Sequence, residues 1–205
     1  MTKDIEITLK DIKDVAKVTN LLNEGIQLSK FHIPSKTDIM LEAIVNKQQI
    51  MIHNFIERGF DLKNGEFLYL HHAVRTEEFK IVKLIIEKMK DNLEFLNKTD
   101  NLTGNNALHV AIETNKTIEI PLLLSNSNID WNQKNKQGQT PIHFLLRNKI
   151  LLKDKNIIEL LKSATEKKAD FTIKDVMDIS PTDIINSYSL SDEWHHTKAA
   201  KFLCK

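Results

Sequence analysis

The sequence predicts an all-α solenoid: stacked helix-turn-helix units with short β-turn fingers, and capping helices at both ends. Three observations predict it. Gly104 and Gly138 lie thirty-four residues apart, as do His109 and His143, within the echoed stretches "TGNNALHVAIETN" and "QGQTPIHFLLRNK". Gly25 and Gly59 repeat that interval in "VTNLLNEGIQL" and "MIHNFIERGFDL". Five glycines and four prolines in 205 residues are too few for an all-β fold full of tight turns. A fixed period of this size marks units that stack, because one such unit cannot bury its apolar face alone.

The first helix of each unit is readable from its start. In "QTPIHFLLRN", Thr140 suits the N-cap and Pro141 the first helical position, where its missing N–H is not needed. "ISPTDII" repeats this with Ser180 and Pro181, and Asp183 is placed to reach back to the cap. In "NNALHVAIE" the cap is Asn106. Ala43, Ala73 and Ala111 are small enough for close helix packing.

A second apolar helix follows each turn, in "VAKVTNLLNEG", "IMIHNFIERG", "FKIVKLIIEKM", "IEIPLLLS" and "NIIELLKSA". Ile, Leu and Val recur there at helical spacing and give one buried stripe. Gly25 and Gly59 stand where a left-handed C-terminal cap is wanted. The short pieces "IQL", "FDL", "IDWN" and "ADFTIKD" close the units.

"TPIHFL", "NALHVA", the partial "LHHAV" and the terminal "SPTDII" resemble the T-P-L-H-x-A pattern of the ankyrin-repeat family, whose unit is about 33 residues. "FIERGFDL" resembles the ending of that family's second helix. The resemblance covers nearly the whole chain and implies a single array over 1–205. Its register is an N-terminal half-repeat cap at 8–30, repeats at 33–64, 65–99, 100–134 and 135–174, and a C-terminal capping repeat at 175–205. It also implies that the imidazoles of His71, His109 and His143 bond backbone and capping hydroxyl at the helix start, holding neighbouring units in register.

Departures from the pattern are expected to leave marks. The second unit is extended around "KMKDNLEF" and the fourth around "ILLKDKN". Pro121 should break or kink the first turn of its helix. Asp178 stands where the family has glycine, a position Asp can hold in the left-handed conformation. Trp131 replaces Leu62 and Phe171 of the neighbouring units and should tuck against the next unit's helices. "LSDEWHHTKAAKFL", with Trp194, reads as an amphipathic capping helix, the alternative being a docking helix for a partner.

Chemistry is not suggested. No HExxH, phosphate-binding loop or dinucleotide fingerprint is present. The adjacent pairs His71–His72 and His195–His196 would point about 100° apart on a helix rather than at a common metal. Cys204, the only cysteine, excludes an internal disulfide framework and a multi-cysteine zinc site, and sits at the chain end without a base in sequence reach. No catalytic residue, cofactor or metal is therefore expected.

Hydrophobic content of 41% with 28% charge is that of a folded chain, and a net charge of +1 supplies no steering field toward nucleic acid or anionic membrane. The basic stretch from Arg147 to Lys168, with Lys149, Lys153, Lys155, Lys162 and Lys167, lacks interleaved aromatics for base stacking; Asp170 to Glu193 is acidic. The two read as solvated stretches on opposite rims.

Asp4 and Glu6 stand where a secretory leader needs an apolar run, and no apolar stretch is long enough to span a membrane. A cytoplasmic location is expected. The Lys, Asn and Ile content suits an AT-rich genome, and by analogy a bacterial effector acting in a host cytoplasm.

The resemblance implies a non-catalytic protein-protein interaction module, a scaffold, adaptor or inhibitor, expected as a monomer with another protein on its concave face. The finger candidates are Leu102, Thr103, Asn105, Lys136, Gln137, Gln139, Val176, Met177 and Ile179. On the inner helices they are Val45, Asn46, Arg75, Thr76, Glu113, Thr114, Arg147 and Asn148. Charge reversal at Arg75, Lys136 and Arg147 together should weaken binding and spare the melting temperature. The alternative is an enzyme or accessory subunit with its site in the irregular fourth repeat or the C-terminal segment. Its sign would be a closed cavity around His143, His195 and Asp192.

Overall fold

The computed structural model describes residues 5–6, 14–24, 31–32, 38–63, 67–114, 117–188 and 198–203. They divide into two compact units, 1–88 and 89–205. The expectations placed on Gly25, Asp192, Trp194, His195, His196 and Cys204 fall outside the described residues.

In the first unit, α1 (Val15–Asn23) packs on α3 (Gln49–Glu57), and α3 forms a hairpin with α2 (Ile39–Val45). Next comes α4 (Tyr69–Arg75), laid against α2, and then α5 (Phe79–Met89). Strand content among the described residues is a two-residue parallel pairing, β1 (Ile5–Glu6) with β2 (Phe31–His32). Asp38 caps α2, its Oδ1 accepting from the Leu41 N–H at 2.9 Å, and its Oδ2 accepts from the Tyr69 hydroxyl at 2.7 Å. That second bond ties the starts of α2 and α4 together. Burial, then the Asp38 carboxylate, push the Tyr69 hydroxyl well above its ordinary value, so it stays a donor.

Gly59 ends α3 as the apolar stripe requires. It has φ +81°, and its N–H and that of Phe60 return to the Ile56 and Phe55 carbonyls at 3.1 and 2.9 Å. Ala43 and Ala73 are fully buried, among Met40, Ile44, Ile52, Phe55 and Val74. Their methyls let the first helices of successive units approach closely.

In the second unit, the extension around "KMKDNLEF" folds into a short helix, α6 (Leu93–Leu96). Asn92 caps it, and its own Phe95 and Leu96 are buried. Two hairpins follow. One joins α7 (Ala107–Thr114) to α8 (Glu119–Ser125); in the other, α9 (Pro141–Arg147) and α10 (Ile157–Glu166) both pack on the 3-10 turn that connects them. The insertion "ILLKDKN" is not a slack loop. It forms a 3-10 turn over Leu151–Lys153 that buries Leu151 and Leu152.

The last elements are α11 (Pro181–Tyr188) and α12 (Lys198–Leu203). First helices α7, α9 and α11 form one row, while α8, α10 and α12 form the other. In α12, Ala199 and Ala200 are buried where it meets α10 and the 3-10 turn. Pro121 is the third residue of α8, inside the first turn where helical N–H groups have no partner anyway. The helix is short: α8 has seven residues against eleven in α5 and ten in α10.

Trp131 is buried, with its indole N–H donating to Ser125 Oγ at 3.0 Å. Ser125 Oγ in turn lies 2.5 Å from Ser163 Oγ on α10, so a polar chain crosses between successive second helices without an unsatisfied group. No helix among the described residues is long and apolar enough to cross a membrane.

Candidate protein-binding surface

Three fingers precede α7, α9 and α11, and one device builds all three. Asp100 Oδ1 accepts from the Leu102 and Thr103 N–H groups at 2.9 and 2.7 Å, and Oδ2 from the Thr103 hydroxyl. Asn135 Oδ1 accepts from Gln137 and Gln139 N–H at 3.0 and 2.9 Å. Asp175 Oδ1 accepts from Met177 and Ile179 N–H at 2.9 and 3.1 Å. Each side chain thereby replaces a backbone acceptor and fixes the bend. Sequence reasoning missed all three residues; their signal was an Asp or Asn at the foot of each finger, three or four residues before the left-handed position.

Those left-handed positions are Gly104, Gly138 and Asp178, at φ +77°, +73° and +63°. The fingers are also bonded to one another, the Lys136 N–H donating to the Thr103 carbonyl at 2.8 Å and the Val176 N–H to the Gln137 carbonyl at 2.9 Å.

The histidines lock helices to fingers. His143 is buried at the third position of α9, and its Nδ1 accepts from the Thr140 N–H at 3.0 Å and the Thr140 hydroxyl at 2.8 Å. Its Nε2 lies 3.1 Å from the Ile179 carbonyl, which requires the proton on Nε2. Burial, which the nearby Arg147 reinforces, lowers its pKa below the ordinary value and keeps the ring neutral. His109 repeats the arrangement in α7, with Nε2 3.0 Å from the Gln139 carbonyl and Nδ1 accepting from the Asn106 N–H at 3.2 Å. His71 takes the third position of α4 and is buried. In α11 the third residue is Asp183, which accepts from the Ser180 N–H at 2.9 Å, a cap without a reach to another finger.

The positions expected to meet a partner fall into groups. Leu102, Val176 and Met177 stand out from the finger tips, 88%, 71% and 74% exposed, and Gln137 is exposed between them. Thr103 and Lys136 are exposed but engaged; the Lys136 ammonium donates to the Asn101 carbonyl at 2.6 Å. Ile179 is half-buried and supplies the carbonyl that His143 holds.

Asn105 departs from expectation. It is buried, and its Oδ1 accepts from Asn135 Nδ2 at 2.9 Å, because the neighbouring finger closes over it. Gln139 faces Asp175 Oδ2 at 3.5 Å, and Arg147 donates to the same oxygen at 3.1 Å. The Arg147 side chain is 38% exposed while that of Asp175 is 1% exposed, so this arginine neutralises a buried carboxylate and its reversal cannot be structurally silent.

On the inner helices Val45, Asn46, Arg75 and Glu113 are exposed, and Thr76 and Thr114 are half-buried. Asn46, Thr76 and Thr114 bond back to carbonyls of their own helices. Asn148 is a connector: its Nδ2 donates to the Ile112 carbonyl at 2.6 Å and its Oδ1 accepts from the Ile150 and Leu151 N–H groups. Two open grooves run beside these positions, one in each unit. Val45, Lys47, His72, Arg75, Thr76 and Glu77 line the first; Ile112, Glu113, Gln139, Phe144, Arg147, Asn148, Lys149 and Ile150 line the second. Among the described residues no three His, Cys, Asp or Glu side chains gather as a metal centre would need.

Residues 70–175, just over half the chain, match the family described as ankyrin repeats in three copies. Repeats of this kind are generally protein-protein interaction modules and are typically non-catalytic. The helix-finger-helix units, their histidine locks and this match agree: the chain belongs to the ankyrin-repeat family.

Proposed function

We infer that the chain is a non-catalytic interaction module that offers a partner protein the finger tips and inner-helix groove of the second unit and, considered by itself, the inner-helix groove of the first. The carrying observation is a division of labour within the fingers. Asp100, Asn135, Asp175 and the two inter-finger backbone bonds hold the bends, while Leu102, Val176 and Met177 are left pointing into solvent. A platform already rigid before binding loses little conformational entropy on association. Exposed apolar side chains along it supply area that gains from being covered.

Site-specific photo-cross-linking tests this. A photoreactive residue at Leu102 or Met177 should trap the same partner from cell extract, and one at the exposed Lys83 of α5 should not. Equal trapping from Lys83, or none from the finger tips, would contradict the reading.

A further inference from the structure

The histidine locks of α7 and α9 differ in what faces Nδ1. At His143 that nitrogen meets the Thr140 hydroxyl at 2.8 Å, and a hydroxyl can turn either its hydrogen or a lone pair toward the ring. At His109 the group in that place is the Asn106 carboxamide, with Oδ1 2.8 Å from Nδ1. The carboxamide is fixed from two sides. Its Oδ1 accepts from the Leu108 and His109 N–H groups, each at 3.1 Å, and its Nδ2 donates to the Asp130 carbonyl at 3.0 Å. The Nε2 proton of His109 is committed to the Gln139 carbonyl. A neutral ring therefore sets a bare Nδ1 against an oxygen that has no hydrogen to give, whereas an imidazolium donates to it. The backbone N–H of the cap residue faces Nδ1 in both repeats, at 3.2 and 3.0 Å, and so does not distinguish them.

Charge separates the two rings in the same direction. Four residues beyond His109, on the same face of α7, stands the carboxylate of Glu113; four residues beyond His143 stands the guanidinium of Arg147. The first favours an imidazolium and the second opposes it, an opposition that Asp175 offsets in part. The other charged groups on the elements packed around His109 are Glu119 on α8, Asp100 on the first finger, and Asp130, Lys134 and Lys136 in and before the second. Asp100 and Asp130 accept from N–H groups of their own turns, and Lys136 donates to the Asn101 carbonyl. Both rings are fully buried, so the cost of burying a charge is common to them.

We propose that His109 is a proton-binding site that makes one lock responsive to pH: in mild acid its Nδ1 takes a proton and donates it to Asn106 Oδ1, while His143 in the next repeat stays neutral. The bond from His109 Nε2–H to the Gln139 carbonyl is then charge-assisted and tighter. The second finger, which carries Lys136 and Gln137, is held more firmly as the pH falls, and the third finger is not. That extra hold is present below the His109 midpoint and is lost as the pH rises through it. Asn106 and Glu113 make the lock of α7 sensitive; Thr140 and Arg147 keep that of α9 insensitive over the same range.

The test uses the whole chain with isotope-labelled imidazole nitrogens, whose NMR shifts report which ring atom carries a proton. Between about pH 8 and about pH 5, His109 should gain its Nδ1 proton with a midpoint at least about one pH unit above that of His143. Asn106→Thr, which copies the other cap, should lower the His109 midpoint by about 0.5 unit or more. Glu113→Gln, at an exposed position, should lower it at low salt and not at high salt. Protection of the Gln137 and Gln139 amides, both bonded to Asn135 Oδ1, should rise through the His109 transition when taken relative to the intrinsic exchange rate at each pH. A His109 midpoint at or below that of His143, one that both variants leave unmoved, or protection that falls through the transition would overturn the proposal. The two midpoints of the unaltered chain decide by themselves if a variant fails to fold.

Discussion

A Cβ at Gly104 would lie 2.9 Å from the Lys136 backbone nitrogen, and one at Gly138 would lie 3.2 Å from Asp175 Cα. Both glycines also have positive φ, so each is required twice, by conformation and by the finger laid against it. Asp178 holds the same left-handed position in the third finger with no further finger against it among the described residues. Its side chain has room and bonds Lys174 Nζ at 2.8 Å, which explains why glycine can be absent there. Gly104→Ala and Gly138→Ala should each cost about 2 kcal/mol or more in urea denaturation, whereas Asp178→Gly should stay within about 0.5 kcal/mol; equal costs would contradict this. Arg147 belongs at this scale too. Arg147→Glu should lower stability by about 3 kcal/mol, because it leaves Asp175 buried without its cation and sets a like charge beside it. Burial pushes the Asp175 carboxyl up, but the N–H groups of Ile179 and Met177, with Arg147 and Gln139, outweigh it and hold the pKa below the ordinary carboxylate value. Its contribution is therefore present above the unfolded value of about 4 and lost as the pH falls through the lower folded one. Asp175→Asn should flatten the acid side of the stability profile; an acid side as steep as that of the unaltered protein would contradict this.

At the scale of the element, first helices were legible because their starts carry chemistry at fixed spacing. Thr140, Pro141 and His143, and Ser180, Pro181 and Asp183, perform the cap roles their order implies. The fingers were less legible. Asp100, Asn135 and Asp175 fall at unequal intervals, and an Asp or Asn in a polar loop looks the same whether it bends the chain or faces water. Asn105, Arg147 and Asn148 were assigned to the surface because their burial or pairing depends on a neighbouring repeat 28 to 36 residues away. Helix-to-finger coupling gives this scale its prediction. His143 is neutral in the fold with its pKa lowered, so the bonds its Nδ1 accepts from the Thr140 N–H and hydroxyl are fully present above an unfolded value of about 6.5 and are lost as the pH falls through the folded one, while the Nε2–H bond to the Ile179 carbonyl survives protonation. His143→Ala should cost about 1–3 kcal/mol and speed amide exchange in the finger at 171–180. Unchanged exchange in that finger would mean the imidazole is not what holds it.

At the scale of the whole molecule, the sequence period implies one array, in which each repeat is stable only through its neighbours. Within the second unit that expectation predicts that Leu108→Ala, a buried change on α7, lowers the unfolding midpoint reported by Trp131 fluorescence, measured in a Trp194→Phe background. An unmoved Trp131 midpoint would mean that these repeats unfold independently. The binding role makes a different demand, that residues offered to a partner are not those that hold the chain together. Leu102→Asp, Val176→Asp and Met177→Asp combined in one variant test it most directly. The expected result is an unchanged melting temperature together with loss of the partner that the unaltered protein captures from extract. Capture of the same partner by the triple variant, or a large fall in melting temperature, would contradict it.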